Sequence, residues 1–248
     1  MIKDTRLAQA FATKKALKVI SGLNNFDTAK VSAVCLAAQA GGATFVDIAA
    51  DANLIKTVRQ LIHLPICVSA VTVDDFVSAV NAGADLIEIG NFDSFYAQGI
   101  TFSAEDVLNL TLQTRALLPD ITLSVTVPHI LALDEQADLA QTLVNAGADI
   151  IQTEGGTSSN PCHSGILGLI EKASPTLASA YIISRAVDVP VLCASGLSDV
   201  TIPMAIASGA CGVGVGSAIN KLENQISMIA VVRSLVESLN RVNSPVIA

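Results

Sequence analysis

Two short phrases alternate along this chain, and together they restrict what it can fold into. The first is a small-Gly-Ala turn running into an apolar stretch. It occurs as Gly41-Gly42-Ala43 before TFVDIAA, Ala82-Gly83-Ala84 before DLIEIGN, Ala146-Gly147-Ala148 before DIIQTEGG and Ser208-Gly209-Ala210 before CGVGVGS. The second is a charged or Pro-led stretch ending in small polar residues: ALKVISG from Ala16, PICVSA from Pro65, ITLSVT from Ile121 and PVLCASG from Pro190. Interleaved, they predict eight short strands. Between them, Thr28–Gln39, Asn53–Ile62, Asp74–Asn81, Ala104–Leu117, Asp134–Val144 and Thr176–Ala186 carry helical periodicity. Asp27 and Ser103 stand where helix N-caps are expected.

Eight βα units in 248 residues match the arithmetic of a (β/α)8 TIM barrel. An open doubly wound sheet could use the same strands, but no GxGxxG follows an early one. The barrel is therefore the expected fold, as a single domain over residues 1–248. Recurrence every two units hints at internal repetition. Apolar residues make up 51% of the chain and charged residues 15%, as suits a sheet covered by helices. No uninterrupted apolar run approaches the roughly 18–20 residues of a membrane span. The N-terminus mixes acidic and basic residues before any apolar stretch, unlike a secretory signal.

The net charge of −8 argues against nucleic-acid or anionic-membrane partners. It leaves room for an anionic small ligand held by backbone amides, and for a homo-oligomer. The five cysteines show no metal-binding spacing and read as reduced thiols of a cytoplasmic or plastid-stromal protein.

In a barrel of this type the ligand end is built from the loops that follow the strands. Ser21–Asp27, Asn91–Gly99 and the polar, glycine-rich Glu154–Gly165 stand out, the last as a candidate lid. After the eighth strand, Gly214-Val215-Gly216-Ser217 leads into a helix. Glycine lets backbone approach a ligand, and the first N–H groups of a helix lack internal partners, so this turn suits a phosphate. Ser195, Gly196 and Ser198, one unit earlier, would share the same anion.

The strand period of two turns Lys18, Asp47, Glu88 and either Gln152 or Glu154 toward the barrel interior. A barrel filled for stability would carry Val, Ile and Leu there, so Lys18, Asp47, Glu88 and Glu154 are the catalytic candidates. A bland reading makes them a buried network with Lys18 neutralising Asp47 and Glu88. Lys18 could form an imine with a carbonyl substrate, but adjacent carboxylates would keep it protonated, which favours acid–base chemistry. His129 follows the fifth strand at the ligand end, while His63 is expected at the surface. Cys162-His163 is not expected to be a catalytic dyad, and no HxH or HExxH points to a metal.

ALKVISGLNNFD, NAGADLIEIGNFDSFY and EGGTSS resemble the uncharacterised hypothetical-chloroplast-reading-frame family of cyanobacteria and algal plastids. The resemblance implies an aldolase-type, phosphate-binding barrel in that setting, and no particular reaction. DLIEIGNFDSF and GVGVGSAINK are also similar to tryptophan synthase alpha subunit motifs. That similarity implies acid–base chemistry for Glu88 and phosphate binding for Gly216-Ser217, although the glutamate falls here on the fourth strand, not the second. VLCASGLSD…GVGVGSAI is similar to N-acetylmannosamine-6-phosphate 2-epimerase, which has a glutamate where this chain has Ser195. Three functions follow: an isomerase, epimerase or lyase acting on a phosphorylated metabolite; an oxidoreductase with FMN at the same site; or a binding protein without catalysis.

Overall fold

The computed structural model describes residues 2–157 and 159–242. In chain order the elements are α1 (Thr5–Ala12), β1 (Ala16–Ile20), α2 (Thr28–Gly41), β2 (Phe45–Ala49), α3 (Ala52–Leu61), β3 (Ile66–Ala70), α4 (Val73–Ala82), β4 (Leu86–Ile89), α5 (Asp93–Tyr96) and α6 (Ala104–Leu117). They continue with β5 (Thr122–Thr126), α7 (Leu133–Asn145), β6 (Ile150–Gln152), α8 (Gly165–Ala186), β7 (Val191–Ala194), α9 (Ile202–Ala207), β8 (Gly212–Val215), α10 (Ser217–Asn220) and α11 (Gln225–Val242). All eight strands pair in parallel, each with its sequence neighbours, and β8 closes onto β1 as a TIM barrel.

The small-Gly-Ala phrase has one physical origin. Gly42, Gly83, Gly147 and Gly209, just before the even-numbered strands, all have φ between 91° and 107°. A left-handed residue there ends the helix and turns the chain back, and only glycine adopts it without Cβ strain. At Gly83 the cap N–H reaches the carbonyls of Ala79 and Val80. Asp27 and Ser103 cap α2 and α6 as expected, Ser103 in a reciprocal capping box with Asp106.

Strand alternation then sorts the side chains. Leu17, Val19, Val46, Ile48, Val68, Ile87, Val125, Ile151 and Val213 face the helices in two large apolar clusters. A third cluster fills the interior at the strands' N-terminal ends: Ala16, Phe45, Cys67, Leu86, Ile150 and Leu192. Helix α1, which the sequence periodicity did not reveal, plugs that end by inserting Leu7 and Phe11. The bottom of the barrel is thus apolar and closed, so polar residues higher on the same strands face the other mouth.

Helix α8 starts at Gly165, eleven residues before the segment its periodicity suggested, and runs through Pro175. Proline lacks the N–H that would pair with the carbonyl of Glu171. Ser159 Oγ donates to that carbonyl instead (3.4 Å), so the helix continues. Among the described residues α8 is also the one helix long and apolar enough to cross a bilayer. Here it forms the crossover from β6 to β7, with Ala173, Thr176, Ala180 and Ile183 buried.

Candidate active site

Lys18, Asp47 and Glu88 come together inside the barrel, each at most 1% exposed. Lys18 Nζ donates to Glu88 Oε2 (2.7 Å) and lies 3.6 Å from Asp47 Oδ2. Glu88 also accepts from Ser124 Oγ (2.9 Å) and Gln152 Nε2 (2.7 Å), so both of its oxygens are engaged. Ser69 Oγ donates to Asp47 Oδ1 (2.7 Å). Asn91 Nδ2 closes the group from above, donating to Ser69 Oγ (3.0 Å), and its own φ is +62°. A non-glycine residue held in that region is strained, and such strain persists where the surroundings fix a side chain for a purpose.

Burial alone would lower the Lys18 pKa, but Glu88 and Asp47 outweigh it and hold the ammonium above its ordinary value. Burial pushes Asp47 the other way for an acid, up from 3.8 to about 6 against the pull of Lys18. Below 3.8 Asp47 is protonated whether folded or not, and between that value and about 6 only the folded state keeps the proton. Its contribution to stability is therefore greatest at acid pH and is lost as pH rises through the folded value. Urea unfolding from about pH 4 to 7 should show the wild type losing stability relative to Asp47→Asn across this window. A difference flat with pH would mean that Asp47 stays ionised throughout.

Above this group, at the C-terminal ends of the strands, lies a cavity of about 370 Å³. Gln152 and Asn91 line its floor, whereas Lys18, Asp47 and Glu88 do not reach its surface. Three of the expected catalytic residues thus form a sealed foundation, because Asn91 and Gln152 take their outward-facing partners. Of the pair Gln152 or Glu154, Gln152 is the inward strand residue and Glu154 stands just above it at the mouth.

The carboxylates that do line the cavity are Glu154 and Asp93. Glu154 Oε1 accepts from Tyr96 Oη (2.6 Å), and Oε2 from the backbone N–H of Asp93 (3.1 Å). Asp93 Oδ2 accepts from Ser195 Oγ (3.0 Å) and from the Gly155 N–H (3.2 Å). His129 Nδ1 lies 3.2 Å from Glu154 Oε1 and 3.4 Å from Asp93 Oδ1. Burial lowers the imidazole pKa, but these two carboxylates more than compensate and raise it. The three side chains offer ligand atoms within 4.8 Å of one another, a donor set that also suits a divalent cation. Asp93 is not among the candidates from the sequence, because it lies in the Asn91–Gly99 loop, where no strand period fixes a side-chain direction.

The anion turns line the same cavity, through Gly196, Gly216, Ser217, Asn220 and Lys221. Ser195 lines it too, but its hydroxyl is directed at Asp93, and its φ of +77° marks a second strained position. Two expected members lie elsewhere: Gly214 is buried within β8 against Ala194, and the Ser198 N–H pairs with Thr201 Oγ1 at the start of α9. The loop after β6 is tied down, since Thr157 N donates to Ser195 Oγ (2.8 Å) and both Cys162 N and His163 N donate to Glu171. Ser158, inside that loop, lies outside the described residues. His163 pairs with Glu171 away from the cavity, and His63 is exposed before β3.

Residues 2–244 match the family described as "Protein of unknown function (DUF561)". The chain belongs to the DUF561 family. It is 46% identical over 233 residues to the "Uncharacterized protein ycf23" of Cyanophora paradoxa, covering 92% of this chain and 93% of that one. Two solved structures share the fold of this DUF561 chain at low identity. The 3-hexulose-6-phosphate synthase superposes with a TM-score of 0.63 at 16% identity, covering 90% of this chain and 99% of that one. The (S)-3-O-geranylgeranylglyceryl phosphate synthase of Thermoplasma acidophilum, in complex with sn-glycerol-1-phosphate, gives 0.63 at 13% identity, covering 95% and 97%.

Proposed function

We propose that this protein is an enzyme that grips the phosphate of a small metabolite and moves protons on the carbon skeleton beside it. The reaction would be of the isomerase, epimerase or lyase type. One observation carries the reading: a single cavity is lined both by Gly196, Gly216, Ser217 and Lys221 and by the Asp93 and Glu154 carboxylates. Backbone amides and an ammonium suit a dianion, and carboxylates set by hydrogen bonds suit proton transfer. The phosphorylated compounds named for the two solved structures support the same reading.

In this reading Asp93 and Glu154 exchange protons with substrate, and His129, between them, stabilises whichever is ionised. Lys18, Asp47 and Glu88 are positioning residues that act through Asn91 and Gln152. The proton-retaining environment of Lys18 supports acid–base chemistry over an imine. Relatives such as the Cyanophora protein support a plastid or cyanobacterial setting. Crystals soaked in phosphate test the site: an anion is expected on the N–H groups of Gly196, Gly216 and Ser217. Density elsewhere, with none between these turns, would remove the basis for the proposal.

A further inference from the structure

The walls of the cavity differ in what they demand of a ligand. Beyond the anion turns, its side chains are mostly acceptors and hydroxyls: Asn91, Asp93, Ser94, Gln152, Glu154 and Thr157. Among the described residues no aromatic side chain lines it, and its apolar lining includes Ile20 and Ala194. Tyr96 and Phe92 belong to the same corner but not to the lining, since Tyr96 is spent on Glu154 and Phe92 is fully buried.

The floor adds a separate observation. Gln152 donates through Nε2 to Glu88 Oε1 (2.7 Å) and Thr126 Oγ1 (3.1 Å), which fixes the orientation of the amide. Its Oε1 is then left buried without a hydrogen-bond partner. An unsatisfied buried acceptor is costly, so the floor beneath the cavity is already rich in acceptors and poor in donors. Asp93 and Glu154 beside it are acceptors too when ionised.

Resting on the phosphate-site reading above, we infer that the natural ligand is a phosphate monoester whose remaining arm is a short, uncharged, polyhydroxylated chain, of the sugar-phosphate or polyol-phosphate class. Hydroxyl groups donate to the Asp93 and Glu154 carboxylates that line the cavity, which a carbonyl or an ether could not do. A second anionic group would meet two carboxylates in a confined, partly desolvated space, so phosphorylated carboxylates and bisphosphates are excluded. A flat aromatic arm joined directly to the phosphate, as in phenyl phosphate, would bring no hydroxyl to donate to the carboxylates.

Calorimetric titration of the whole protein with matched probes tests the inference. The probes are inorganic phosphate, glycerol 3-phosphate, ribose 5-phosphate, 3-phosphoglycerate and phenyl phosphate. At least one of the two polyhydroxylated monoesters should bind about tenfold or more tighter than inorganic phosphate, the gain of one or two charge-assisted hydrogen bonds. 3-Phosphoglycerate and phenyl phosphate should show no such gain. The advantage should shrink in Asp93→Ala, read as the ratio of polyol-ester to inorganic-phosphate affinity within the same variant. Should that variant fail to fold, Thr157→Val, at an exposed position, supplies the same comparison.

If inorganic phosphate binds but 3-phosphoglycerate or phenyl phosphate equals or exceeds the polyol esters, the inference falls and the phosphate site stands. Phosphate binding with no gain for either polyol ester has the same consequence. If no phosphate compound binds at all, both fall together.

Discussion

Replacing Lys18 by methionine is expected to destabilise the protein by about 3–5 kcal/mol, the usual cost of removing one partner from a buried ion pair. Methionine nearly matches the length of the lysine stem, so little of this loss reflects lost packing volume. What remains is Glu88 and Asp47 facing each other without a cation in a space that is at most 1% exposed. Urea unfolding at pH 7 measures the effect as a fall in midpoint at constant slope. Adding Glu88→Gln to the variant should recover part of the loss, because an amide needs no counter-charge. Single-variant destabilisation below about 1 kcal/mol would show that the carboxylates protonate or admit water at little cost, and that Lys18 is not their required partner.

Ser217→Glu should weaken phosphate binding at least about 100-fold, since two like charges brought together at a binding site cost several kcal/mol. The fold should tolerate the change. Ser217 is exposed at the first position of α10, so a longer polar side chain meets solvent there. Titration with inorganic phosphate, alongside thermal unfolding, separates the two effects. Ser198→Ala serves as the control: its N–H pairs with Thr201 and it does not line the cavity, so phosphate affinity should stay unchanged. Retained phosphate binding in Ser217→Glu would move the anion away from the β8 turn.

The barrel was legible in the sequence because its signals are local. Four left-handed glycines and an alternation of period two are properties of a few adjacent residues, and each forces the backbone or the side-chain direction by itself. The same alternation placed Lys18, Asp47 and Glu88 on one interior, and the Gly-rich turns placed Gly196, Gly216 and Ser217 at one mouth. Depth was a different matter. Whether a strand carboxylate touches the cavity or lies beneath it depends on what stands above, and here that is Asn91, from a loop 44 residues beyond Asp47.

Asp93 shows the same limit. It becomes part of the site only because its carboxylate crosses to Gly155 on one loop and Ser195 on another, contacts separated by 62 and 102 residues in the chain. Helix α1 became the barrel's plug by joining one apolar cluster with residues from β1, β2, β3, β4, β6 and β7. The sequence by itself determined the strands, their closure and which residues point inward, because those follow from short-range sterics and period. Only the tertiary structure decided which inward charges meet a ligand, because burial is set by side chains brought together from distant loops.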